Sequence, residues 1–335
     1  MKGPRAGRIA AASALVAAAL GATAGLAVAQ DTTLRVNVFP GAQNLPIFIG
    51  LERGVFAKHG LKVELQNTPS SQAQRSGLAE DKFEIAHGAV DNAVAMVEAA
   101  GRDVVVVMGG DASMNEFMVR PEIGTIADIR GKVVAVDAPN TAYALVAKKI
   151  LKNNGLIEGR DYTVRPLGGT AQRSAAMASN PELVAGIVNL PFSITVREKG
   201  LKSLGRSRDL IGPYQATAAF VMRPWAQANG DALERYIAAY VESLRIAMDP
   251  VNRAAGAAAL ATHLRLDPKV AEETIGLLMI PGFGLAPDAR LDMDGFRTVL
   301  ALRAEIEGQW GGKPPAPDKY LDLGYYDRAL KRLGN

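Results

Sequence analysis

The chain has no cysteine at all. That removes disulfides, thiolate metal sites, a cysteine nucleophile and a lipid-modified cysteine in one step. Histidine is scarce: three residues, His59, His87 and His263, stand far apart and in no H-x-x-x-H pattern, so no metal site is expected. No G-x-S-x-G, G-x-x-x-x-G-K-[ST] or G-x-G-x-x-G motif occurs, and no spacing singles out a pair of carboxylates for acid–base work. These absences favour binding over catalysis, and no cofactor is expected. After the first thirty residues no run is long and apolar enough to span a bilayer. A basic stripe interleaved with aromatics is also missing, which argues against a nucleic-acid partner.

What is present begins with an address. Lys2, Arg5 and Arg8 precede an uncharged, alanine-rich stretch from Ile9 to Val28, which closes on Ala27-Val28-Ala29. A positive start, an apolar middle and an A-x-A site describe a secretory signal peptide over residues 1–29, cleaved after Ala29, and place the mature protein in the periplasm without a lipid anchor. An uncleaved anchor is the competing reading. The whole sequence carries a formal net charge of +4. Most of that excess sits in the leader, so the basicity says little about a partner.

The remaining 48% hydrophobic, 21% charged composition is that of a globular chain. Hydrophobic patterning predicts strands at Leu34–Phe39, Lys62–Leu65, Phe83–Ala86 and Val104–Met108, with helices over Leu45–His59, Ser70–Glu80 and Asn92–Ala100. The unbroken Val104–Met108 run reads as a parallel strand buried on both faces. A second pass of the same order gives strands at Val133–Val136, Tyr162–Arg165 and Val184–Val188, with helices over Thr141–Asn153 and Ala171–Ser179. Two matched βαβαβ runs indicate two similar α/β lobes. From about Tyr214 the pattern is mostly helical. Asp231 is an expected N-cap, Asp267-Pro268 and Asp294 open further helices, Gly311–Pro317 is extended, and Tyr320–Leu333 closes the chain as a helix.

In such lobes, ligands meet the carboxyl ends of strands and the amino ends of the following helices, where backbone N–H groups and a partial positive charge are free. Four turns qualify: Gly41–Asn44, Gly88–Asn92, Asp137–Thr141 and Asn189–Phe192. Their Asn, Asp and Thr residues are equally good helix caps. Tyr143, Phe192 and Tyr214 are candidate aromatic walls, or core. His59 reads as an exposed helix end, His263 as a helix residue facing either solvent or core, and His87 as a strand-end residue that is structural in the simpler reading and otherwise able to face a cleft.

The residues then take on a likeness. Leu45-Pro-Ile-Phe-Ile-Gly-Leu-Glu-Arg-Gly-Val-Phe-Ala-Lys-His-Gly-Leu-Lys-Val-Glu-Leu65 resembles the opening of the nitrate/sulfonate/taurine-type solute-binding proteins of ABC importers. Phe83-Glu-Ile-Ala-His-Gly88 is similar to their D-I-A-x-G strand. Ile126-Ala-Asp-Ile-Arg-Gly-Lys-Val-Val-Ala-Val136 resembles the segment that opens their second lobe. Ala176–Val188 resembles a further element but lacks its Gly and Asp-Ala.

The resemblance implies a type II periplasmic-binding-protein fold: α/β, with a ligand cleft between lobe 1 (30–115 plus 214–335) and lobe 2 (116–213). It implies ligand contacts from Gln43, Asn44, Asp91, Asn92, Asn140, Thr141 and Asn189. It also implies a small, anionic organic ligand, ABC permease and ATPase partners, and a monomer that is not an enzyme. Asn-Thr replaces the Gly-Ser frequent at the helix start of the sulfonate branch, and Asp91 is awkward for an anion. The alternatives are an enzyme on the same fold acting on a small acid or pyrimidine, with His87 or Asp91 as base, and a periplasmic sensor binding protein.

Overall fold

The first strand, β1 (Thr32–Val38), turns its apolar residues Leu34, Val36 and Val38 into the core. It pairs in parallel with β2 (Leu61–Asn67) on one side and β3 (Ile85–Ala89) on the other. β4 (Val104–Met108) is buried along its whole length. Its neighbour is β10 (Thr217–Met222), which runs antiparallel to both β3 and β4 and completes the order β2-β1-β3-β10-β4. In the computed structural model, Met1 and residues 32–111 and 113–334 are described; apart from Met1, the expected leader lies outside them.

A second five-stranded sheet repeats the pattern. β6 (Val133–Val136) lies between β7 (Thr163–Pro166) and β8 (Leu183–Asn189), parallel to both. β5 (Asn115–Val119) adds antiparallel to β8, and β9 (Lys202–Arg206) follows it, giving β7-β6-β8-β5-β9. In each sheet three parallel strands are followed by one that arrives from elsewhere in the chain.

Several boundaries differ from the sequence reading, each for a local reason. The helix expected over Leu45–His59 is two: Leu45–Glu52 and Val55–Lys58. Gly54 breaks it by adopting φ 66°, a left-handed conformation that glycine takes at little cost. Asp231 lies inside the first turn of Gly230–Met248, with Asn229 at the cap. The last helix starts at Gly324 rather than Tyr320, and a 3-10 turn occupies Gln309–Gly312 ahead of the extended prolines. β10 falls where helix was expected, so Val104–Met108 pairs with an antiparallel partner rather than sitting in an all-parallel sheet.

Apolar packing joins the two sheets at the back. Val106 and Phe220 of the first sheet share a buried cluster with Phe117, Val134 and Ile187 of the second and with Leu145, Phe296 and Tyr320. Another cluster packs the helices Leu45–Glu52 and Gly230–Met248 under the first sheet. By their contacts, Asp31–Asn335 form one compact unit. No helix among the described residues is long and apolar enough to cross a membrane.

Candidate functional site

The carboxyl ends of β1, β2 and β3 face those of β6, β7 and β8 across a cavity. It is partly open to solvent. Its walls include Phe39, Gln43, Gly88 and Ala89 from the first half, and Asp137, Thr141, Tyr143, Thr170, Arg173 and Asn189 from the second. Hydrogen bonds between the halves flank it. Ala42 N donates to Leu190 O at 3.1 Å and Gly169 N to Pro69 O at 2.8 Å. Asn189 Nδ2 donates to Gln43 Oε1 at 3.2 Å, and Ser71 N to Asp137 Oδ2 at 3.2 Å.

Helix starts converge on this space. The helices Val90–Ala100, Ala142–Asn153 and Thr170–Ser179 begin at cap residues Ala89, Thr141 and Gly169, and none receives a side-chain cap. The Thr141 hydroxyl is instead turned back to Ala138 O at 2.8 Å. First-turn N–H groups with no side-chain acceptor favour an anion nearby.

Arg173 is the residue that sequence reading missed. It is 1% exposed yet lines the cavity. Its guanidinium donates to Gly168 O at 2.8 Å, Thr170 Oγ1 at 3.1 Å and Ile187 O at 2.9 Å. None of these acceptors is a carboxylate, and its Nε is buried without a partner. The charge lies 5.8 Å from the centre of the Tyr143 ring. Burial lowers its pKa, opposed by the fields of Asp137 and Tyr143; even so, an arginine stays charged. A buried cation whose hydrogen bonds all go to uncharged acceptors favours an anionic ligand. In the sequence Arg173 was only one arginine of a predicted helix; the Gly168-Gly169-Thr170 turn before it was the available signal.

The sequence candidates divide. Gln43, Thr141, Tyr143 and Asn189 line the cavity. The Asn189 Oδ1 is buried and unpartnered. Asn44 is buried behind Gln43, donating to Phe39 O at 2.7 Å. Asn92 is fully buried and donates to Gln74 Oε1. Asp91 is sealed into an ion pair with Arg303, whose Nη2 meets Asp91 Oδ2 at 2.7 Å. Asn140 is exposed and borders a separate groove with Arg75, Arg303 and Glu307. Phe192 packs against the core of the second sheet, and Tyr214 is buried in the shared cluster.

Of the histidines, only His59 departs from its sequence reading. His59 is held by Glu242 at 2.8 Å rather than left exposed. His263 stacks on Phe48, with ring centres 4.3 Å apart. His87 points away from the cavity walls, bonds the Tyr236 hydroxyl at 2.8 Å and stacks near Tyr240. Burial pushes its pKa down to about 3. An unfolded histidine titrates near 6.5, so below that pH the unfolded chain takes up a proton that the fold refuses. The stability His87 contributes is complete above about pH 6.5 and is lost as pH falls toward 3, at about 1.4 kcal/mol per unit. Urea midpoints measured from pH 7 to pH 4 should fall more steeply for the wild type than for His87→Gln; parallel curves would remove His87 from the account.

Among the described residues no group of three or more His, Asp or Glu side chains is placed to hold a metal. A family model described as NMT1/THI5 like matches residues 42–251, more than half of the chain. The chain belongs to the NMT1/THI5-like family. No curated protein matches the sequence. Solved structures do resemble this NMT1/THI5-like chain. One, from Bordetella bronchiseptica RB50, is 21% identical with a TM-score of 0.76, over 91% of this chain and 99% of that one. The periplasmic nitrate-binding protein NrtA of Synechocystis PCC 6803 is 15% identical, TM-score 0.74, over 90% and 89%. The periplasmic aliphatic sulphonate binding protein SsuA of Escherichia coli is 17% identical, TM-score 0.66, over 87% and 92%. At these identities the likeness shows the fold, the type II periplasmic-binding-protein fold expected from the sequence.

Proposed function

We propose that this protein is the exported, periplasmic binding component of an ABC importer. It captures a small organic acid between two closing lobes, 30–115 plus 214–335 and 116–213, and hands it to a permease. The observation that carries the reading is Arg173, a buried guanidinium on the cavity wall whose hydrogen bonds all go to uncharged acceptors. A sulfonate, nitrate or carboxylate group gives the guanidinium a negatively charged acceptor. The Synechocystis protein of this fold binds nitrate and the Escherichia coli one aliphatic sulphonates, which supports the same class.

Closure follows from the cavity being shared. Gln43 and Gly88 come from one half, and Asn189, Thr141 and Arg173 from the other. A ligand that touches both favours the closed arrangement; moving the balance from 1:99 to 99:1 takes about 5.5 kcal/mol of differential binding. Thermal-shift and calorimetric screening against sulfonates, nitrate and carboxylates tests the reading. No response to any acid would overturn it. Asn189→Ala removes a cavity-facing amide and should weaken the acid that binds by roughly tenfold, in line with the loss of one hydrogen bond to a charged group. Asn140→Ala, outside the cavity, should leave affinity unchanged.

A further inference from the structure

The groove that Asn140 borders lies outside the cavity and has a charge balance of its own. The helices Ser71–Ala79 and Val90–Ala100 form its sides, with the end of Met293–Glu307 alongside. Small residues of the second helix, Ala95, Ala99 and Ala100, leave it open. Two guanidiniums meet there over a single carboxylate. Arg303 gives Nε and Nη2 to Asp91, and its Nη1 has no acceptor among the described residues. Arg75 is partly buried, and among the described residues no hydrogen bond or ion pair holds its guanidinium. Burial lowers its pKa; the field of Asp91 opposes this and that of Arg303 adds to it. As an arginine it stays charged. The carboxylates of the groove are drawn to lysines, Glu80 to Lys82 at 2.7 Å and Glu307 to Lys148 at 3.7 Å. Arg102, just past the end of Val90–Ala100, lines the groove with no ion pair among the described residues.

Like charges held together in a partly buried groove repel, and an anion between them relieves that cost. The directions of the donors select among anions. Arg75 comes from one helix, Arg303 from another, and Asn140 from the other half of the molecule, where its carbonyl lies 3.4 Å from Arg303 Nη2. A planar nitrate or carboxylate meets donors in one plane and carries one charge. A tetrahedral oxyanion turns its oxygens to several sides and, when doubly charged, answers two guanidiniums at once. We propose that this groove is a second binding site, for phosphate or the phosphate group of a small ester. Arg75 and the Nη1 of Arg303 hold its oxygens, and the Asn140 amide closes the third side. The site goes beyond the importer reading and does not depend on it.

The test is calorimetry with inorganic phosphate, glycerol 1-phosphate, nitrate and acetate on the full chain. It is read in Arg173→Met as well as the wild type, so that an anion in the cavity is told apart from one in the groove. Phosphate or its ester should bind both proteins at one groove site, roughly tenfold or more tighter than nitrate or acetate, and the better of the two names the source. Arg75→Gln should weaken that binding roughly tenfold or more in either background. No protein group bonds the Arg75 guanidinium among the described residues, so the fold should hold, checked by its melting curve. Ala99→Glu, at an exposed position, sets a negative charge in the groove without touching Arg75 and should have the same effect. Phosphate binding that survives both substitutions, or that never exceeds nitrate and acetate, overturns the proposal. Binding lost in Arg173→Met but kept in Arg75→Gln puts phosphate in the cavity, and the proposal fails while the acid-binding reading stands. If no acid fills the cavity, that reading falls, and phosphate binding to Arg173→Met still supports the groove.

Discussion

Arg173→Met should lower affinity for the acidic ligand by roughly a hundredfold or more, and Arg173→Lys by roughly tenfold. A hydrogen bond to a charged group is worth about 1.5–3 kcal/mol, and each 1.4 kcal/mol is a factor of ten. Met keeps the volume and the apolar stem but removes the charge. Lys keeps the charge as a point and loses the planar fork. The fork matters here because Gly168 O, Thr170 Oγ1 and Ile187 O hold it in one plane, leaving a fixed direction for the ligand. Met also strips the buried Ile187 carbonyl and the part-buried Gly168 carbonyl of a donor, so a modest fall in melting temperature accompanies the loss; removal of a buried charge works the other way. Calorimetry with circular dichroism separates the two effects. Wild-type affinity in a folded Arg173→Met protein would place the acid elsewhere.

The second large effect concerns stability. Asp91→Asn should cost about 3–5 kcal/mol, because it leaves the Arg303 guanidinium buried without its partner. Arg303 is 3% exposed and Asp91 1%. Burial alone disfavours the arginine's charge, and the field and hydrogen bonds of Asp91 more than offset it, so its pKa is raised. The pair fastens the helix Met293–Glu307 to the start of Val90–Ala100, and Arg303 Nη2 also reaches Asn140 O at 3.4 Å. The double variant Asp91→Asn/Arg303→Met should be destabilised by well under the sum of the single costs, since the unpaired charge is then gone. Urea unfolding of the four proteins measures this. Ligand affinity, corrected for the folded fraction, should change little in any of them. A large, specific loss of affinity in Asp91→Asn would return that residue to the ligand site.

The contrast between these two arginines explains what could be read in advance. β1, β2, β6 and the helices after them are written in local patterns: alternating or continuous apolar runs closed by Pro40-Gly41, Gly60 and Gly155. Thr217–Met222 is short and rich in alanine, and its identity as a strand comes from the slot between β3 and β4, which no local pattern records. β5 was missed for a similar reason, with Glu116 interrupting its apolar residues. At the site, the turns after the strands were visible because their position follows from α/β geometry. Which side chain in each turn faces the cavity was not, since that depends on partners far along the chain. Asp91 looked like a free carboxylate because Arg303 lies 212 residues away. Arg173 went unmarked because its acceptors are two backbone carbonyls and the Thr170 hydroxyl, which sequence does not mark.

The position of β10 also sets an order of events during folding. β5 to β9 occupy one continuous stretch of chain, Asn115–Arg206, so the second sheet can complete itself from nearby segments. The first sheet cannot. Its β3 and β4 present open, apolar edges until Thr217–Met222 emerges and fills the gap, and contacts across such long separations form late. For as long as that strand is missing, those edges are templates for pairing with another chain. The strand that finishes the first sheet is therefore also what protects it, and a chain halted before it would be prone to aggregate although most of its residues are already made.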